Sequence, residues 1–154
     1  MVRKKLIFNS SIFKAVICFG QYESKNCESY DGDSSSLLPS SRFSHYYGCL
    51  SQINGYPIAI GGYGTANLKK VELLRSFGWT PMTDYPKSVF KHSCVSVEDG
   101  IVTLGGYTDE SGYLKEAYLL RDDTWSLAGM LKEVQKTYFR KLILDSSFLD
   151  SQPL

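Results

Sequence analysis

Four cysteines (Cys18, Cys27, Cys49 and Cys94) and two histidines (His45 and His92) are the side chains of this 154-residue sequence best suited to metal binding or nucleophilic chemistry. Their spacing argues for neither. There is no C-x-x-C, and the cysteine separations do not fit a zinc site. His45 and His92 stand 47 residues apart, and no neighbouring carboxylate completes a ligand set. The sequence holds no G-x-S-x-G, no H-E-x-x-H and no G-x-x-x-x-G-K-[ST]. Asp84, Asp99, Asp109, Glu110, Asp122 and Asp123 fall in turn-forming stretches, where carboxylates serve turn geometry and solvation. The chain therefore reads as a non-enzyme, and no metal or cofactor is expected.

Composition points the same way. Hydrophobic residues make up 43%, aromatic residues 14% and charged residues 21%, which is the profile of a folded chain with a core. The net charge of +1 comes from interspersed acids and bases, so nothing favours nucleic acid. No apolar run approaches the ~18 residues of a membrane span. Arg3, Lys4 and Lys5 precede Leu6-Ile7-Phe8 as a signal peptide would begin, but Asn9, Ser10, Ser11 and Lys14 interrupt the run. A strand is the better reading of residues 1–14.

The elements that must position these side chains repeat. Ile58-Ala59-Ile60-Gly61-Gly62-Tyr63 is nearly restated 44 residues later as Val102-Thr103-Leu104-Gly105-Gly106-Tyr107. Upstream, Asn54-Gly55 and Asp99-Gly100 separate pairs of short apolar runs, which predicts a hairpin in each copy with positive φ at the turn. Downstream, Val71-Glu72-Leu73-Leu74-Arg75 matches Ala117-Tyr118-Leu119-Leu120-Arg121, and Trp79 matches Trp125. Each copy thus reads as four short antiparallel strands. An earlier copy is weaker. Val16-Ile17-Cys18-Phe19-Gly20 carries Phe-Gly in place of Gly-Gly, Cys27 falls at the Val71 position, and Leu37-Leu38-Pro39 stands where Trp79-Thr80-Pro81 stands. Arg42-Phe43-Ser44-His45 parallels Val89-Phe90-Lys91-His92.

Hydrophobic-Gly-Gly-Tyr, an apolar third strand and a tryptophan 17 or 19 residues after the glycine pair together resemble the kelch-repeat family. The resemblance covers residues 15–132. It implies an all-β fold, a partial β-propeller of antiparallel four-stranded blades, with two clear repeats and one degenerate one. Propellers have about 4–8 blades, so this number would leave open blade edges and invite self-association. Residues 133–154 form a divergent tail, in which residues 138–144 read as one more strand seeking a partner.

Family resemblance further implies a non-catalytic protein-interaction module, a scaffold or substrate-recruiting surface, with a protein partner and neither nucleic acid nor membrane. The alternatives are a propeller-type enzyme with an unrecognised site and a truncated product without independent activity. Repeat-equivalent side chains are expected to pack rather than to bind. Cys49 and Cys94, 45 residues apart, take the same position in successive copies. They and the other two cysteines read as free, buried thiols, which favours a cytoplasmic setting over secretion. His45 and His92 read as packing residues. Binding is better sought in the non-repeating loop residues Arg42, Tyr46, Tyr47, Tyr113 and Arg121, because Tyr and Arg dominate interface hot spots.

Overall fold

The computed structural model of the chain describes residues 5–9, 14–21, 24–64 and 69–134. They contain antiparallel strands and no helix. Three four-stranded sheets follow one another along the chain. Sheet one holds β1 (Lys5–Asn9), β2 (Lys14–Cys18), β3 (Cys27–Tyr30) and β4 (Ser35–Leu38). Sheet two holds β5 (Cys49–Ile53), β6 (Tyr56–Ile60), β7 (Val71–Arg75) and β8 (Gly78–Pro81). Sheet three holds β9 (Ser93–Val97), β10 (Gly100–Leu104), β13 (Glu116–Arg121) and β14 (Thr124–Met130). A ribbon of β11 (Tyr107–Thr108) and β12 (Gly112–Tyr113) rises from the loop between β10 and β13. The weak first copy is therefore a complete sheet. The predicted strand at residues 138–144 lies outside the described residues.

Only one of the two predicted turns has its expected geometry. Asn54 and Gly55 both take positive φ, at 50° and 79°, as a two-residue hairpin between β5 and β6 requires. Gly100 does not serve the next hairpin. It is already the first residue of β10, and a Cβ there would collide with the Leu120 carbonyl oxygen. Positive φ instead recurs at Asp122 and Asp123, at 49° and 54°, in the turn between β13 and β14.

Sheet two is the centre of the core. Its residues alternate between two apolar clusters, as the pleat demands. Leu50, Ala59, Leu74 and Trp79 pack with Cys18, Phe19 and Cys27 of sheet one. Cys49, Ile58, Ile60, Val71 and Leu73 pack with Ile101 and Leu120 of sheet three, with Leu114 just before β13, and with Tyr85 and Val89 between the sheets. Hence Val71, Glu72, Leu73 and Leu74 are all buried, although they face alternate sides. Among the described residues, sheet three packs through one side. Val102, Leu104 and Leu119, the counterparts of Ile58, Ile60 and Leu73, remain half-buried.

The repeat residues hold the links between sheets. Residues 39–48 leave sheet one and dock on sheet two before entering β5. Trp79 Nε1 donates to the Pro39 carbonyl at 2.9 Å. Residues 82–92 dock on sheet three in the same way, and Trp125 Nε1 donates to the Thr83 carbonyl at 3.2 Å. The glycine pair of sheet two lies where both links pass. A Cβ on Gly61 would stand 2.5 Å from the Val89 oxygen, and one on Gly62 would stand 2.7 Å from the His45 Cα. Without side chains, Gly62 N donates to the Val89 oxygen at 2.9 Å.

Candidate functional site

The strand ends that carry the glycine pairs also carry a continuous row of aromatic side chains. Residues 39–48 and 82–92, Tyr63 and the β11–β12 ribbon all sit at this end. Tyr63 and Phe90 stand 5.1 Å apart between ring centres, Phe90 and Tyr107 5.3 Å, and Tyr107 and Tyr113 5.2 Å. The tilted and edge-on pairings are those that ring quadrupoles favour. The Lys91 ammonium lies 5.2 Å from the Phe90 ring centre and 5.5 Å from that of Tyr47, and so joins this row to Tyr46 and Tyr47. Those two rings are 4.1 Å apart. Tyr63 and Tyr113 are the outermost members, 39% and 41% exposed.

Local backbone geometry builds this surface. Tyr47 and Lys91 both take positive φ, at 56° and 57°, in the two links. Lys91 N donates to the Tyr47 carbonyl at 2.8 Å, and Tyr63 N donates to the Tyr46 carbonyl. Phe90 and Tyr107 exchange backbone hydrogen bonds of 3.1 and 2.8 Å, tying the second link to the ribbon. The row therefore stands on backbone ladders rather than on free loops.

Of the loop residues singled out in the sequence, Tyr46, Tyr47 and Tyr113 come together in this surface. Arg42 lies at the same end, with its side chain exposed and its amide donating to Glu72 Oε1 at 3.1 Å. Arg121 does not join them. It ends β13 at the opposite edge of sheet three and pairs with Asp99 at 2.7 Å. Tyr63, Phe90, Lys91 and Tyr107 were not singled out, because they sit inside the repeat and read as packing residues. The ribbon pairing Tyr107 with Tyr113 lay hidden in a stretch that reads only as turn formers.

Beneath the surface lies one buried ionic cluster. His45 and Glu72 are 2% and 0% exposed. His45 Nδ1 donates to the Gly61 carbonyl at 2.6 Å, and Nε2 donates to Glu72 Oε2 at 3.0 Å. The Arg42 and Phe43 amides complete the carboxylate's shell, each at 3.1 Å. Burial pushes the Glu72 carboxyl up. The hydrogen bonds from His45, Arg42 and Phe43 outweigh that effect and hold it below its ordinary 4.5. Every donor in the cluster is already engaged, and the pair is sealed from solvent. Its chemistry is the anchoring of a link, not proton transfer to a substrate. Among the described residues no group of three or more His, Cys, Asp or Glu side chains is placed to hold a metal.

The four cysteines are paired, which corrects the expectation of free thiols. Cys18 joins Cys27 directly across β2 and β3, with Cα atoms 4.2 Å apart. Cys49 joins Cys94 between sheets two and three, with Cα atoms 5.9 Å apart. The repeat alignment gives the last two the same position, yet their registers differ by one residue. Cys49 opposes Ile60, whereas Cys94 opposes Thr103, the residue before Ile60's counterpart Leu104. One residue turns a side chain to the other face of its sheet, so the two thiols meet. Ser51 and Ser96 meet by the same offset, with hydroxyls 2.9 Å apart.

Comparison with known proteins supports the fold and goes no further. No protein-family model matches the chain, and no curated protein matches it. Solved structures do match. The chain is similar to that described as "Structure of YjhT", with a TM-score of 0.68 at 11% identity over 82% of this chain. The match covers 45% of that structure's chain, so this sequence spans less than half of its length. No helix among the described residues is long and apolar enough to cross a membrane.

Proposed function

We propose that this chain is a non-catalytic protein-binding module of kelch type, three blades of a β-propeller, which contacts its partner through the aromatic row at the glycine end. The observation that carries this reading is the continuity of Tyr46, Tyr47, Lys91, Phe90, Tyr63, Tyr107 and Tyr113 across two links and a ribbon. Rigid aromatic rings that keep a hydroxyl at their rim lose little entropy on binding and are rich in contact area. Three successive four-stranded antiparallel sheets, joined by links that each dock on the next sheet, support reading them as blades. The paired cysteines favour an oxidising compartment over the cytoplasmic setting that free thiols would suggest.

The test is affinity capture with three proteins: the unaltered chain, Tyr113→Ala and Arg121→Ala. Both side chains are exposed, and they lie at opposite ends of sheet three. Loss of captured partner with Tyr113→Ala alone is the expected result. Equal loss with Arg121→Ala, or full capture by Tyr113→Ala, would sink the assignment.

A further inference from the structure

The net charge of +1 conceals a separation of charge between the two ends of the strands. The exposed carboxylates Asp31, Asp33, Glu98, Asp99, Asp122 and Asp123 all fall in the hairpin turns after β3, β9 and β13. The glycine end is the reverse around Tyr46 and Tyr47. Arg42, in the same link, and Lys69, just before β7, expose their side chains, and among the described residues neither pairs with an acid. Lys91 lies over the Tyr47 ring. Carboxylates of this region are already engaged. Glu72 is buried against His45, Asp84 pairs with Lys70 at 2.7 Å, and Glu116 pairs with Lys87. Thr65-Ala66-Asn67-Leu68, which precede Lys69, contribute no charge. Exposed acid stands at the other end of the row, where Asp109 and Glu110 form the turn of the ribbon that carries Tyr113.

This distribution selects a class of partner. The Arg42 amide donates to the buried Glu72 carboxylate at 3.1 Å, and the Lys91 amide donates to the Tyr47 carbonyl at 2.8 Å, so the backbone bearing both cations is held in place. A guanidinium offers a planar fork of donors that matches a carboxylate in two parallel hydrogen bonds. A ligand that closes over the neighbouring rings displaces water from them, and a charge pair in less polar surroundings is the stronger for it. The acidic turns at the other end repel the same ligand and steer it to the glycine end. Charge along the row also fixes a direction. Carboxylates of the ligand belong at the Tyr47 end and are disfavoured over Asp109 and Glu110. A nucleic-acid strand carries its charge uniformly and needs an unbroken basic track, which a row ending in acid does not supply.

We propose that the partner engages this surface through an acidic segment, its carboxylates held by Arg42, Lys69 and Lys91 at the Tyr47 end of the row and its uncharged side chains lying on the rings towards Tyr113. This rests on the reading of the aromatic row as a binding surface. The probe is a library of short random peptides displayed on phage and selected on the unaltered full chain. Recovered peptides are then synthesised and titrated by fluorescence anisotropy. Enrichment of Asp and Glu over the starting library is expected. Affinity should fall about tenfold or more when a peptide's Asp and Glu become Asn and Gln, or when the chain carries Arg42→Glu. Arg121→Glu makes the same change of charge at the acidic end and should leave affinity unchanged. A thermal melt of each variant establishes folding. Recovery of no peptide, recovery of peptides no richer in acid than the library, affinity indifferent to Arg42→Glu, or displacement of the peptide by a single-stranded oligonucleotide would each overturn the proposal. Loss of binding with Tyr113→Ala alone would leave the binding surface standing and overturn the acidic partner. Loss with Arg42→Glu alone would instead remove the aromatic row from the site.

Discussion

Phe19 shows how one residue can hold two opposed demands. It takes φ of 59° at the place where Gly61 and Gly105 take 58° and 60°. That conformation costs an L-residue about 1–2 kcal/mol. The ring is buried against His45 and Trp79, at centre distances of 5.1 and 6.1 Å, and burial of such a ring contributes about 1.5–3 kcal/mol. Phe19→Gly would relieve the backbone but open a cavity, so a net loss of about 1–3 kcal/mol is expected in urea unfolding. At Gly61 the demand is space. Gly61→Ala should cost about 1–3 kcal/mol more than Gly105→Ala, because the nearest atom is 2.5 Å away in one case and 3.4 Å in the other. Glu72 adds a pH dependence. Its folded pKa lies below 4.5, so its contribution is complete above 4.5 and is lost as pH falls through the lowered value. Glu72→Gln should remove that acid-side loss from a pH series of melts and lower stability by about 3–5 kcal/mol even at neutral pH. The glycines, the tryptophans and His45 were legible in the sequence as a repeat. Their purpose was not, because the backbone met by Gly61, His45, Trp79 and Trp125 lies 16–42 residues away in another element.

At the scale of elements, strands and sheet order were readable from short apolar runs and turn residues. The exceptions have local causes. Gly100 was assigned to a turn, yet it is needed inside β10 to let the Leu120 carbonyl approach. The β11–β12 ribbon is too short to show alternation. The cysteine pairing depended on a one-residue offset between β5 and β9, and repeat alignment erases such an offset. The two indole clamps predict an ordered pair of effects. Trp125→Phe should cost about 0.5–1.5 kcal/mol, the value of its hydrogen bond to Thr83. Trp79→Phe should cost more, because Trp79 is 6% exposed and fills the contact between sheets one and two. Guanidinium titrations of both variants check the order. The Cys49–Cys94 bridge closes a loop of 45 residues, so Cys94→Ser should cost about 2–4 kcal/mol by the same measurement.

At the scale of the molecule, the described sheets pack in chain order, sheet two against sheet one and sheet three against sheet two. Among the described residues, sheet two is enclosed by clusters on both faces, whereas sheets one and three each join such a cluster through one face. Stability in such an array is a sum of unit and neighbour contributions. Amide exchange should therefore be slowest in β6 and β7 and faster in β3, β4 and β14, and a uniform rate across the three sheets would contradict this. The docking of each link on the sheet that follows has a consequence for synthesis. Residues 39–48 leave the ribosome before the sheet they anchor, and residues 82–92 likewise precede theirs. Each link is thus a waiting template onto which newly made strands can close, and no sheet needs a later part of the chain to find its register. Assembly can proceed as a ratchet from the N-terminus, with each completed sheet presenting the surface on which the next one sets.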